Sequence, residues 1–263
     1  MNLAAAVDRS AMWLPLLRQL TQVSPTWVAW KGVDRAIAGY GDIDSTAAGG
    51  EREAIAATFV GWAKDHQLGP VIICRHAPNL DVMVALCGEE PFLELDVLPR
   101  KVFLGSTMFR YEDLVALASV DDRGLRCVRP GTEGLTKLLL NGTRRNGLPN
   151  HDALRAHGIV ELLVQDTEGV RLTARLFGPG EHAALQLASA VGAGGWDRSA
   201  VLRLQAWFLA RALLEPRSVV NKIRFRVAKR RCPVLRAMLA GRSVPAPRDA
   251  WLQRIRAGHR VHE

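Results

Sequence analysis

"WKGVDRAIAGYGDID", Trp30 to Asp44, ends on two aspartates separated by a single isoleucine, and its reading decides the fold. A strand alternates sides, so Asp42 and Asp44 on one strand share a face while Ile43 points into the opposite layer. At about 4 Å two like charges repel by roughly 4 kcal/mol at an effective dielectric near 20. Aspartate is also a poor strand former. A positive charge is therefore expected between the two carboxylates. Upstream, "TWVAW" (Thr26–Trp30), bounded by Ser24-Pro25 and Gly32, reads as a short strand. Val33–Ala38 reads as a short helix and Gly39–Gly41 as a loop. The order is strand, glycine turn, helix, then a strand carrying Asp-x-Asp.

Working outward, residues 3–22 form an amphipathic helical pattern on Leu3, Val7, Met12, Leu16, Leu17 and Leu20. Glu51–His66 has helical spacing, with Ile55, Phe59 and Trp62 on one face, and "GPVIIC" (Gly69–Cys74) opens another strand. Asp81–Leu86 and Phe92–Leu98 read as an antiparallel pair joined through Gly88-Glu89-Glu90-Pro91. The second of these, within "FLELDVLPRK", repeats the opening pattern: Glu94 and Asp96 share a face, and Leu93, Leu95 and Val97 line the other. If it neighbours the Asp42–Asp44 strand, the carboxylates converge. Such a cluster supplies ligands for Mg²⁺, a hard cation that takes a few protein carboxylates along with water and substrate phosphates. Two such ions roughly 3.5 to 4 Å apart clamp the attacking and leaving oxygens of an in-line displacement. Glu94 reads as a supporting or solvent-facing residue rather than a ligand. Lys31-Gly32, opening the short helix, is a candidate phosphate handle, with Gly32 allowing close approach and Lys31 adding charge. Pairing of Lys31 with a carboxylate of the cluster is the alternative. Tyr40, beside Gly41, is either a wall for a stacked base or ordinary core.

Here the chain resembles the nucleotidyltransferase superfamily that includes DNA polymerase beta. "WKGVDRAIAGYGDID" is similar to the pattern of bacterial nucleotidyltransferase-like proteins, and "LELDV" to the superfamily's third-aspartate strand; the resemblance spans roughly residues 26–100. It implies that Asp42 and Asp44 are metal ligands. Asp96 would be a further ligand that serves as, or orients, the general base for an acceptor hydroxyl. Lys31, Gly32, Tyr40 and Gly41 would then lie along the nucleotide. The superfamily's usual Gly-Ser or Gly-Gly is Lys31-Gly32 here, which takes a hydroxyl or a glycine out of the phosphate turn. The implied fold class is α+β, with a nucleotidyltransferase-type mixed-sheet α/β domain over residues 1–107.

Beyond residue 107 the strand signals fade. Tyr111–Ala118, Gly131–Arg145, Asn150–Gly158 and Ser199–Leu214 read as helices, so a mainly helical domain is expected over 108–263, with a basic C-terminal segment. Lys137 and Arg144, seven apart on one predicted helical face, could neutralise a triphosphate or hold an anionic acceptor. The competing reading is a solvent-exposed helix over a buried Leu135, Leu138, Leu139 stripe.

Composition bounds the function. With 263 residues and 48% hydrophobic content the chain can bury a substantial core. Four scattered cysteines without C-x-x-C spacing, and seven histidines without a zinc-spaced pair, argue against a zinc site or a disulfide framework and fit a cytoplasmic location. No apolar stretch reads as a membrane span. There is no Walker A sequence and no G-x-S-x-G. Residues 211–263 carry 14 Lys/Arg against 3 Asp/Glu, whereas the first 210 carry 21 against 23. Within that tail, residues 221–231 could hold RNA or an anionic surface, or form a solvated helical face. The expected function is transfer of a nucleoside monophosphate from a nucleoside triphosphate to a hydroxyl (or phosphate) acceptor, a small molecule in the first instance, with release of pyrophosphate. One or two Mg²⁺ ions, replaceable by Mn²⁺, would be the cofactor. The alternative is a non-catalytic polyanion- or partner-binding protein on the same fold.

Overall fold

The computed structural model describes residues 9–38, 42–77, 80–87, 90–217, 219–220, 223 and 260–262. In chain order the elements are α1 (Arg9–Val23), β1 (Val28–Lys31), α2 (Val33–Ile37), β2 (Ile43–Thr46), α3 (Arg52–Asp65), β3 (Val71–Ala77), β4 (Leu80–Cys87) and β5 (Glu90–Leu98). There follow β6 (Arg100–Phe103), β7 (Ser106–Arg110), α4 (Tyr111–Ala116), β8 (Ala118–Val120), β9 (Arg126–Val128), α5 (Pro130–Lys137) and α6 (His151–Ala156). The chain continues through α7 (Ile159–Gln165), α8 (Thr167–Arg175), α9 (Glu181–Gly192), α10 (Arg198–Leu214) and β10 (Arg260–His262). The class is mixed α+β. Contacts divide the chain into two compact units, one of residues 1–99, 120–126 and 221–263, the other of 100–119 and 127–220.

The first unit is organised by a sheet that contains the strand order β10-β3-β4-β5-β2-β1. β4 pairs antiparallel with β5, as expected of these two segments, and also with β3, and β5 then runs parallel to β2. Parallel pairing requires a crossover, and the chain between β2 and β5 supplies one through α3, β3 and β4. α3 buries Ile55, Phe59 and Trp62, the face that its helical spacing marks out. α1 buries Trp13, Leu16, Leu17 and Leu20. The two helices meet where Trp13 stacks on Trp62 (ring centroids 6.4 Å apart) and Trp62 Nε1 donates to the Met12 carbonyl at 3.0 Å. Ahead of β1, Arg126 Nη1 donates to the Ser24 and Pro25 carbonyls at 3.0 and 2.7 Å, which fixes the lead-in to that strand.

The second unit begins with the β6–β7 hairpin and is otherwise largely helical. The expected helix over Gly131–Arg145 is shorter than its apolar pattern suggests. α5 stops at Lys137, a π-helical turn covers Leu138–Gly142, and Thr143 pairs across to Pro149. The chain turns because Thr143 Oγ1 bonds back to the Leu139 carbonyl and the Arg144 amide closes on Leu148 through the Asn146-Gly147 turn. Lys137 and Arg144 consequently do not share a helical face, which corrects the expectation from their spacing. Leu135, Leu138 and Leu139 are buried as expected.

Asp166 ties the start of α5 to the start of α8. Its carboxylate accepts two hydrogen bonds from Arg129 (3.0 and 2.5 Å), one from the Gly131 amide (3.1 Å) and one from the Gly169 amide (2.9 Å). The helices approach so closely here that a Cβ on Gly131 would lie 2.0 Å from the Asp166 carbonyl oxygen. The Arg129 hydrogen bonds, joined by the two amides, hold the Asp166 carboxyl below the usual carboxylate range against the opposing effect of burial. Because the folded value is depressed, the stability this group contributes is fully present above the unfolded value of about 3.9. It is lost as pH falls through the folded value. Asp166→Asn is expected to lower the urea midpoint at pH 7, and its deficit relative to wild type should shrink below about pH 4, as read by urea denaturation from pH 2 to 7.

Candidate functional site

Strand register builds the site. β1 runs antiparallel to β2 with Lys31 opposite Asp44, and β5 runs parallel to β2 with Asp96 beside Asp44. Residues opposite one another on neighbouring strands project to the same face. Lys31, Asp44 and Asp96 therefore form a row across three strands. β2 begins at Ile43, so Asp42 sits just before the strand rather than within it. It still joins the group: one carboxylate oxygen from each of Asp42, Asp44 and Asp96 lies within 4.8 Å of the others.

The positive charge that the paired aspartates call for is Lys31, and a β-bulge aims it. Val28 stands opposite Thr46 and Ala29 opposite Ser45, but the next pair is Lys31 with Asp44, which makes Trp30 an extra residue on β1. In an unbulged pairing Trp30 would face Asp44, and Lys31 would face Ile43 and project to the other side of the sheet. As built, Lys31 Nζ donates to Asp44 Oδ2 at 2.6 Å, with side-chain exposures of 18% and 5%. The ammonium also lies 5.8 Å from the Trp30 ring centroid, within cation–π range. Burial pushes the Lys31 pKa down, but the Asp44 charge and hydrogen bond, with Asp42 and Asp96 adding to them, outweigh it and leave the group above its ordinary value.

Two further interactions hold the strands in this register. Ser45 Oγ donates to the Asp96 carbonyl at 2.8 Å and Thr46 Oγ1 to the Leu98 carbonyl at 2.6 Å, both across the β2–β5 seam. Gly32 occupies the left-handed region at φ 85°, and a Cβ there would lie 2.7 Å from the Asp42 carbonyl oxygen. Glycine is required at this point by the chain's own return to β2. The α2 helix that follows is only five residues long and is tied down when Arg123 bonds Asp34 at 2.6 Å.

The remaining candidates fall elsewhere. Glu94 shares the Asp96 face of β5, is half-buried, and stands opposite Val84 of β4. Tyr40 and Gly41 lie outside the described residues, as does the segment 221–231 except Ile223, which is exposed. Lys137 belongs to the helical unit, where it is buried and paired with Glu133 at 2.6 Å. Arg144 is exposed in the turn beyond the π-helical segment, its carbonyl accepting from Gln205 Nε2 at 3.0 Å. The bulge and the two hydroxyl clamps carry no periodic signal. Only the unusual Asp-Ile-Asp-Ser-Thr run marks β2 as a strand with polar work on both faces.

Three carboxylate oxygens this close suit a hard divalent cation, and among the described residues the donor set contains no nitrogen or sulfur that would favour a softer metal. Searches of protein-family models, curated proteins and solved structures give no match to this chain. The Gly32 geometry leads to a stability prediction. Gly32→Ala should cost about 2 kcal/mol or more in urea unfolding, since the left-handed conformation alone costs roughly 1–2 kcal/mol for a residue with a Cβ. Gly50→Ala, where a Cβ meets nothing within 4 Å, is the control and should stay within about 0.5 kcal/mol of wild type.

Proposed function

We propose that this protein is a metal-dependent nucleotidyltransferase whose reaction centre is the Asp42, Asp44, Asp96 cluster. The observation that carries the reading is the convergence of the three carboxylates, one before β2, one on β2 and one on β5, with Lys31 beside them. Asp42 and Asp44 would hold the cation together with Asp96; Mg²⁺ or Mn²⁺ bound there would neutralise triphosphate charge and polarise the reacting phosphate. The acceptor oxygen attacks the α-phosphorus, the bond to the β-phosphate bridging oxygen breaks, and pyrophosphate leaves. Asp96 would orient the acceptor hydroxyl and receive its proton. Carboxylates on paired strands are held by the sheet itself, so catalysis would come from positioning and charge.

One observation favours a second reading. Lys31 already compensates Asp44, so the cluster has an internal cation, as a non-catalytic polyanion- or partner-binding protein on this architecture would need. Thermal unfolding separates the two. Wild type and Asp42→Asn are heated with each of the four ribonucleoside triphosphates and dTTP, with and without Mg²⁺. A ligand at about 100 times its Kd adds about 2.7 kcal/mol, a shift of roughly 5 °C or more for a chain of this size. The transferase reading expects at least one triphosphate to stabilise wild type only with Mg²⁺, and Asp42→Asn not at all. Absence of any shift, with salt-sensitive RNA or anionic-vesicle binding retained by Asp42→Asn, would favour the binding protein.

A further inference from the structure

We propose that the outward side of α10 docks on an anionic lipid bilayer, lying along its surface. The face belongs to the second unit, and its docking is compatible with either reading of the carboxylate cluster. α10 is mounted by its inner side: Val201, Leu204, Phe208 and Ala212 are buried, and the Phe208 ring meets Phe103 and Phe177 edge-on, with centroids 5.1 and 5.4 Å away. At about 100° per residue, Leu202, Ala206, Leu209 and Leu213 fall within about 60° of arc, and all four are exposed. Leu209 is 53% exposed, and Leu213 and Leu214, at the end of the helix, are 84% and 82% exposed. Single exposed leucines are ordinary on a protein surface. A continuous stripe of them on a firmly packed helix marks a face that binds something.

Charge identifies what it binds. Between residues 198 and 220 the sequence has one acid, Glu215, and that acid is engaged with its own unit. Its Oε2 accepts from the Thr107 amide and hydroxyl at 2.8 and 2.6 Å, and its Oε1 from Arg211 Nε at 3.0 Å. Arg198, Arg203 and Arg217 are exposed, and the sequence from 221 to 231 adds six Lys/Arg and no acid. An apolar stripe with cationic flanks is the composition of a helix that lies in a lipid headgroup layer. A second copy of the chain fits less well. An antiparallel pair that sets Leu202 against Leu213 and Ala206 against Leu209 also brings Arg198 of each copy toward Arg217 of the other, with no acid of the stripe to separate them. RNA would satisfy the arginines, but it is held by aromatic stacking, and this stripe presents leucines. Among the described residues no helix is long and apolar enough to cross a membrane, so the contact proposed is with the surface.

The test is co-sedimentation of the full chain with vesicles of phosphatidylcholine, alone or with about 30% phosphatidylserine, at low and high salt. Folding of each variant is checked by circular dichroism. Wild type should bind the anionic vesicles about tenfold or more tighter than the neutral ones, and more weakly at high salt. The triple variant Leu209→Gln, Leu213→Gln, Leu214→Gln leaves the charge unchanged and should bind anionic vesicles about thirtyfold or more weakly than wild type. Arg203→Gln with Arg217→Gln should lose about tenfold. If the triple variant does not fold, Leu213→Gln alone serves, with an expected loss of about fivefold. Undiminished binding by the leucine variants overturns the proposal and leaves the basic segment 221–231 as the whole of the attraction. Equal affinity for both vesicle types, or none for either, also overturns it. Without vesicle binding, a wild-type dimer in sedimentation velocity that the triple variant abolishes assigns the stripe to a second copy, and RNA binding that the triple variant abolishes assigns it to RNA.

Discussion

Two aspartates side by side on paired strands form a standing repulsion, and the first unit is arranged around its relief. Asp44 and Asp96 are brought together by the parallel β2–β5 register, with Asp42 close behind. Buried or half-buried like charges are tolerated only where an opposite charge or a cation compensates them. The sheet provides one from β1, and it does so by breaking its own regularity. An unbulged β1 would place Trp30 against Asp44 and turn Lys31 to the opposite face, leaving the carboxylates with an indole for a neighbour. The bulge is thus an electrostatic device built from backbone geometry.

The local chain path follows from the same constraint. To carry Asp42 back to the end of β1, the chain must pass close to Gly32, so close that the Asp42 carbonyl leaves no room for a Cβ. The glycine that a phosphate turn would require is thus also required by the protein's own backbone. Ser45 and Thr46 then fasten β2 to β5 by side-chain bonds to carbonyls, pinning a register whose slip by one residue would send Asp44 to the other face. Each of these residues acts on the placement of one carboxylate.

Much of this was legible in the amino-acid sequence, because its signals are local. The alternation in "FLELDVLPRK", the helical spacing of Ile55, Phe59 and Trp62, and the turn around Gly32 all belong to segments of a few residues, and the structure places elements there. The need for a positive charge beside Asp44 follows from electrostatics alone. That Lys31 meets it, rather than standing free, depends on one extra residue in a short strand, which no periodicity records. The helical unit was less legible for a similar reason. The Leu135, Leu138, Leu139 run continues a helical pattern past Lys137, while the chain is turned by hydrogen bonds from Thr143 and Arg144 that sequence spacing does not encode. The three-residue strands β8 and β9 are too short to show alternation.

The charges of the second unit sharpen where the functional argument has to rest. Lys137 is buried against Glu133, and Arg129 is held in a fork by Asp166 beneath the amides of Gly131 and Gly169. These are pairs whose partners come from the same unit and whose geometry is accounted for by helix packing. Breaking a buried pair such as Lys137–Glu133 by removing one partner costs about 3–5 kcal/mol, so an anionic ligand would have to offset that loss before it could recruit Lys137. Lys31 stands in a different position. Its carboxylate partner belongs to the Asp42, Asp44, Asp96 cluster of the first unit, and its side chain keeps 18% exposure. Of the basic residues marked out in the sequence, Lys31 is the one among the described residues that is paired with a carboxylate of that cluster.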